Sequence, residues 1–196
     1  MASPRERNSY SYEQYVSQVS ASMIASVTTP ERALPIEHEK AWRSWLRAHA
    51  LLVRTLDAEL RDEHGMTLLT YDALVQLSEA PNRQLHMKEL ARALVYSASG
   101  VTRIVDGLER DGYARRQTDP DNRRAIRVTL TPAGLTALEA AWPTHVRGVT
   151  RHFVAHSNDK QASALARVFG LIANELARMP KEPPVARFGT DRSPVA

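Results

Sequence analysis

The chain has 196 residues, 43% hydrophobic and 24% charged, enough for one domain or slightly more with a real core. It has no cysteine, which excludes disulfides, thiolate metal sites and cysteine nucleophiles, and its longest apolar runs, such as 50–53, fall far short of the roughly 20 residues that a membrane span needs. The net charge of +4 is concentrated between Arg83 and Arg127, with ten Lys/Arg against six Asp/Glu; the remainder holds sixteen of each. A local basic excess points to a polyanion partner. No apolar stretch follows the basic start, so the expectation is a cytoplasmic protein without a secretory signal.

Residues 1–34 are rich in Ser, Thr and Ala, lack a sustained period, and read as an arm that is disordered or ordered only on a partner. Glu37 to His64 then carries Trp42, Trp45, Leu46, His49, Val53, Leu56 and Leu60 at steps of three and four, one apolar stripe on a long helix that Gly65 stops. Thr67 caps a second helix to about Glu79, and Pro81-Asn82 makes a turn. A short third helix turns Met87, Leu90, Ala91 and Leu94 inward. After a break at Tyr96 to Ser99, a fourth runs to about Asp111, with Val101, Ile104, Val105 and Leu108 inside and Ser99, Thr102, Arg103 and Asp106 outside. The one convincing strand signal follows Gly112: 113–117 and 125–130 flank the turn 119–122, and Ile126, Val128 and Leu130 alternate with Arg127 and Thr129. Thr131-Pro132 opens a helix that passes Pro143 and reaches His156. A last helix spans about Asn158 to Met179, and 180–196 reads as a flexible tail.

The expected fold class is therefore mainly α with a small β-hairpin, and its middle is a winged helix-turn-helix. A helix fits the DNA major groove, where base edges present a distinguishable donor and acceptor code. Ser97, Ser99 and Thr102 can hydrogen-bond phosphates or bases, and Arg103 reaches further. Gly100 costs about 1 kcal/mol of helix stability relative to alanine, which close packing or close phosphate approach would justify. The hairpin gathers Arg115, Arg116, Arg123, Arg124 and Arg127, and an arginine at its tip suits a narrow minor groove. The plainer alternatives are a solvated edge that blocks sheet aggregation, or a winged-helix interaction module that docks an acidic protein.

The stretch from Leu90 to Gly134 resembles the DNA-binding half of the MarR (multiple-antibiotic-resistance regulator) family. Its most specific parts are Ser-Gly-Val-Thr-Arg-Ile-Val-Asp at 99–106, Leu-Glu-Arg-Asp-Gly at 108–112, and the wing from Asp119-Pro120 to Thr131-Pro132. The likeness extends more weakly over about 37–179. It implies a homodimer in which 35–65 and 132–179 supply dimerisation helices around a winged helix-turn-helix at 66–131. It also implies a regulator, usually a repressor, on a pseudo-palindromic double-stranded operator, often released by a small aromatic or phenolic effector. One departure stands out: the usual wing has an aspartate directly before its arginine pair, and here that place is Asn122, ahead of Arg123 and Arg124, with Asp121 or Asp119 as the acids that can substitute.

Trp42, Trp45 and His49 make the first helix ring-rich, and Trp142, His145 and His152 lie on later helices. Trp45 and His49, with Arg54 and Asp72 as polar groups, are the candidate site for an aromatic or carboxylated effector; the plainer reading makes the rings interface core and the histidines its edge. His145, His152 and His156 share helical spacing but read as surface histidines rather than metal ligands. No nucleotide-binding glycine pattern, His-Glu-x-x-His or nucleophile elbow is present. The expectation is thus no enzyme activity, no metal and no cofactor.

Overall fold

The helices begin and end where the sequence supplies caps. In the computed structural model, which describes residues 34–119 and 122–179, α1 spans Ile36–His64, with Glu37 and Glu39 in its first turn and Arg61 and His64 in its last. Both charge placements suit the helix dipole. The arm expected at 1–34, apart from Leu34, the tail at 180–196, and Pro120 and Asp121 of the wing turn lie outside the described residues. The chain divides at Leu51/Leu52, inside α1, into two units.

In the second unit, Thr67 accepts a hydrogen bond from the Thr70 N–H and starts α2 (Leu68–Glu79). β1 (Gln84–His86) leads directly into α3 (Met87–Ala93). Ser97 accepts from the Gly100 N–H and starts α4 (Ala98–Arg110). β2 (Ala114–Thr118) and β3 (Ile126–Leu130) form the expected hairpin. Thr131 caps α5 (Pro132–His152), and Asn158 caps α6 (Asp159–Arg178).

Two expectations are corrected. The hairpin is part of a three-stranded antiparallel sheet in the order β1-β3-β2, with Leu85 and Arg116 both opposite Val128. Three residues are too few to display a two-residue period, which is why β1 leaves no signal in the sequence. The helix through Pro143 ends at His152 instead of His156: Phe153 leaves helical geometry at φ −124° and ψ −58°, and Val154–His156 form a single 3₁₀ turn.

Leu60, Tyr71, Leu74, Leu77, Leu90, Val101, Val105, Leu108, Val128 and Leu138 are buried together, so one core joins the end of α1, the helix-turn-helix, the sheet and α5. Along α1 and α5, Gly148 leaves no room for a side chain: a Cβ there would strike the Glu59 carboxylate and Leu56. Around this close approach His152 bonds Glu59 at 2.8 Å, Arg147 bonds Glu63 at 2.7 Å, and His64 bonds Thr144 at 2.8 Å.

α3 and α4 end in the same motif. Past α4, the Gly112 N–H donates to the Glu109 carbonyl and the Tyr113 N–H to that of Leu108, with Gly112 left-handed at φ 74°. Past α3, the Val95 N–H donates to Arg92 and the Tyr96 N–H to Ala91, but the left-handed residue, at φ 58°, is a valine.

Gly134, in the first turn of α5, packs on the backbone of Tyr113, whose carbonyl oxygen a Cβ would strike. Helix propensity alone favours alanine here by about 1 kcal/mol. Gly134→Ala is nevertheless expected to destabilise the fold by about 1–3 kcal/mol, because a backbone carbonyl cannot step aside as a side chain can. Chemical denaturation checks this, and an unchanged midpoint refutes the contact.

Candidate nucleic-acid interface

The two-residue period of β2 sorts its neighbouring arginines onto opposite faces of the sheet. Arg115 is exposed. Arg116 shares the face of Val128 and turns toward α4, where its guanidinium bonds Glu109 at 2.6 Å, Asp106 at 2.7 Å and the Thr102 carbonyl at 3.0 Å. The Arg116 N–H also donates to Glu109, at 2.6 Å. Arg116 therefore fixes β2 to α4 and neutralises two carboxylates on that helix.

Arg127 of β3 is likewise internal, its Nε donating to Asp119 at 2.7 Å. Asp119 is buried, and His86 Nε2 lies 3.3 Å from the same carboxylate oxygen. Of the five hairpin arginines, two thus serve the fold, while Arg115, Arg123 and Arg124 are exposed and bonded to no carboxylate among the described residues. Asn122, at the family's aspartate position, orients backbone: its side-chain carbonyl accepts from the Arg124 N–H at 3.1 Å. Asp119 supplies the buried negative charge of the wing.

On α4, Ser99, Thr102 and Arg103 are exposed as the helical period requires. Their hydroxyls are partly engaged, since Thr102 donates to its own helix at the Ala98 carbonyl and Ser97 is the cap, 3.2 Å from Ser99 Oγ. Gly100 is explained by packing: a Cβ there would lie 3.0 Å from the Tyr96 ring and 3.2 Å from Ser97 Oγ. Sequence reasoning missed His86 and the inward role of Arg116, while Asp119 is one of the two acids that it offered in place of the wing aspartate. Of the two that it missed, only Arg116 had a signal, the alternation that sets it on the face of Ala114.

The effector candidates fall in both units. In the first, Trp45 stacks on Trp42 and His49, with ring centroids 5.2 and 5.7 Å apart. In the second, Arg54 is exposed and Asp72 is half-buried, its carboxyl pushed up by burial, with His145 opposing. Burial lowers His145, with Asp72 opposing. His145 stacks on Tyr71 at 4.4 Å, and burial together with the Asp72 charge pushes the Tyr71 phenol up to about 12. A separate cavity between α2 and α5, lined by Val75, Ser78, Glu79, Leu138, Glu139 and Trp142, holds about 230 Å³, less than the roughly 300 Å³ at which small-molecule sites begin. Among the described residues no three His, Asp or Glu side chains come together as a metal site needs, and no helix is long and apolar enough to cross a membrane.

Comparison with known proteins agrees with this geometry. Residues 64–125 match the model of the MarR family. The structure of Sco3205, a MarR family transcriptional regulator of Streptomyces coelicolor solved in complex with DNA, is 32% identical with a TM-score of 0.72, over 76% of this chain and 96% of that one. AbsC, a MarR family regulator of the same organism, is 30% identical with a TM-score of 0.70, over 74% and 97%. YkoM, an uncharacterised helix-turn-helix-type transcriptional regulator of Bacillus subtilis, is 29% identical over half of this chain, which spans 63% of its length.

The two neighbouring arginines should behave differently. Arg116→Ala is expected to cost about 1–2 kcal/mol, since it leaves partly buried Glu109 without its cation, whereas Arg115→Ala should stay within about 0.5 kcal/mol of the parent. Urea denaturation of both variants checks this, and equal effects would refute the division.

Proposed function

The chain belongs to the MarR family, and from that premise we propose that it is a cytoplasmic, sequence-specific, double-stranded-DNA-binding regulator of transcription, acting as a repressor. The observation that carries the reading is the division of arginines. Arg116 and Arg127 are held in internal ion pairs, while Arg103, Arg115, Arg123 and Arg124 stay exposed on the recognition helix and wing. Such a surface neutralises phosphates through the wing and reads base edges through α4. Ser99 and Thr102 border Arg103, and Ser97 with Gly100 shapes the start of that helix.

The working form is a homodimer on a pseudo-palindrome. In support, α6 has no buried residue, and Val168, Leu171, Ile172 and Leu176 along it are exposed, Leu171 at 66%. An amphipathic helix of this length finds its stability by covering that face. Sedimentation should give the dimer mass, and footprinting should give two half-sites with centres roughly 10 bp apart. Arg103→Ala should cost about 1–3 kcal/mol on the selected duplex and little on random DNA. Arg124→Ala should weaken both and lower the salt slope by about one unit. Salt-sensitive binding to acidic protein with no duplex preference would refute the proposal in favour of an interaction module.

The regulator releases DNA when an aromatic or carboxylated metabolite binds beside Trp45 and His49. The stacked, exposed rings support this. Linkage requires the ligand and DNA to weaken each other by one factor, and tenfold needs about 1.4 kcal/mol. In tryptophan fluorescence titrations, Trp45→Phe and His49→Ala should weaken both ligand binding and ligand-induced release. Unchanged values would place the pocket elsewhere.

A further inference from the structure

We propose that His86 is a positioning residue for the wing, acting through Asp119 on the segment that carries Arg123 and Arg124; this rests on the DNA-binding reading above. The route is short and each step is a contact. His86 ends β1 and immediately precedes α3, so its backbone is fixed at the start of the helix-turn-helix. It pairs with Arg127 across the sheet, and its N–H donates to Glu89 at 2.8 Å. Its Nε2 lies 3.3 Å from Asp119 Oδ2, the oxygen that also accepts from Arg127 Nε at 2.7 Å. The other carboxylate oxygen, Oδ1, faces the Asn122 N–H at 3.3 Å, and Asn122 in turn accepts from the Arg124 N–H at 3.1 Å. The Asp119 N–H donates to the Ala125 carbonyl at 3.0 Å, which closes the base of the loop.

A buried carboxylate retains its charge only when its lone pairs are satisfied. Here Arg127 of β3 donates to one oxygen, His86 of β1 lies 3.3 Å from that same oxygen, and the loop backbone takes the other. The loop is therefore referenced to the start of α3 as well as to its own hairpin. Arg127 alone would tie Asp119 to the hairpin; His86 ties the hairpin to the helix-turn-helix. The imidazole sits with Nε2 toward the carboxylate, and Nδ1 is buried.

The test is a double-mutant cycle on affinity for the duplex that the wild-type protein selects from random-sequence DNA, measured by fluorescence anisotropy. His86→Leu and Asp119→Asn should each weaken binding about three- to fivefold in the parent. In an Arg123→Ala/Arg124→Ala background the same changes should have almost no effect, because the groups that they position are gone. His86→Gln, which keeps a donor, should restore most of the affinity. Equal losses in both backgrounds, or full affinity in His86→Leu, overturn the proposal. If Asp119→Asn does not fold, His86→Leu decides the question alone, compared at equal thermal midpoint. If the wild type selects no duplex, or the double arginine variant binds as well as the parent, the DNA-binding reading itself fails. That outcome is distinct from wing arginines that matter without His86.

Discussion

A single cation on the core face of a small sheet sets the geometry on which the rest depends. Arg116 could not point into an apolar core without partners, and α4 supplies them in Asp106, Glu109 and the Thr102 carbonyl. Because these lie along almost two turns of α4, the guanidinium constrains the rotation of that helix about its axis as well as its distance from β2. The rotation determines which side chains the helix shows to the outside. Ser99, Thr102 and Arg103 are presented as they are because Asp106 and Glu109 are drawn to the sheet. The same contact removes two negative charges from a region where they would oppose a phosphate backbone.

The helices were legible because they are long, periodic and capped. Thr67, Ser97, Thr131 and Asn158 each accept a hydrogen bond from the backbone N–H three residues on, and three of the four helices that they start begin within a residue of where the pattern places them. The exposed polar and basic residues of α4 and the hairpin were legible at the level of residue type. The division of labour among its arginines was not, since one positive charge in the sequence looks like another. Whether an arginine faces phosphate or a buried carboxylate depends on which acid comes within reach after folding. Glu109 is seven residues from Arg116, and Asp119 is eight from Arg127. β1 and His86 were illegible for a different reason: a three-residue strand has no period, and its side-chain partner lies 33 residues away across the sheet.

The junction of α1 with α5 shows a different way of joining helices. Gly148 lets the two approach closely, and polar pairs flank the contact: Glu59 with His152, Glu63 with Arg147, and His64 with Thr144. Apolar ridges would tolerate a range of registers, whereas hydrogen bonds lose most of their value when displaced by an ångström or so. The winged unit is thus attached to its flanking helices by a joint with one preferred register. Any movement of the winged unit on these helices would have to disturb these pairs or pass around them.

The valine at the end of α3 has a consequence for how the helix-turn-helix opens. A β-branched residue at φ 58° holds about 1–3 kcal/mol of backbone strain, and Val95, at 91% exposure, has almost no packing of its own to offset it. Folded neighbours must hold the angle. When the turn between α3 and α4 unfolds locally, that strain is released, so the opening costs less free energy than the buried contacts of the two helices would suggest. Amide protons at Val95 and Tyr96 should therefore exchange with solvent earlier than those following the equivalent glycine at the end of α4. The connection just before the recognition helix is, in exchange terms, the softer of two otherwise identical turns.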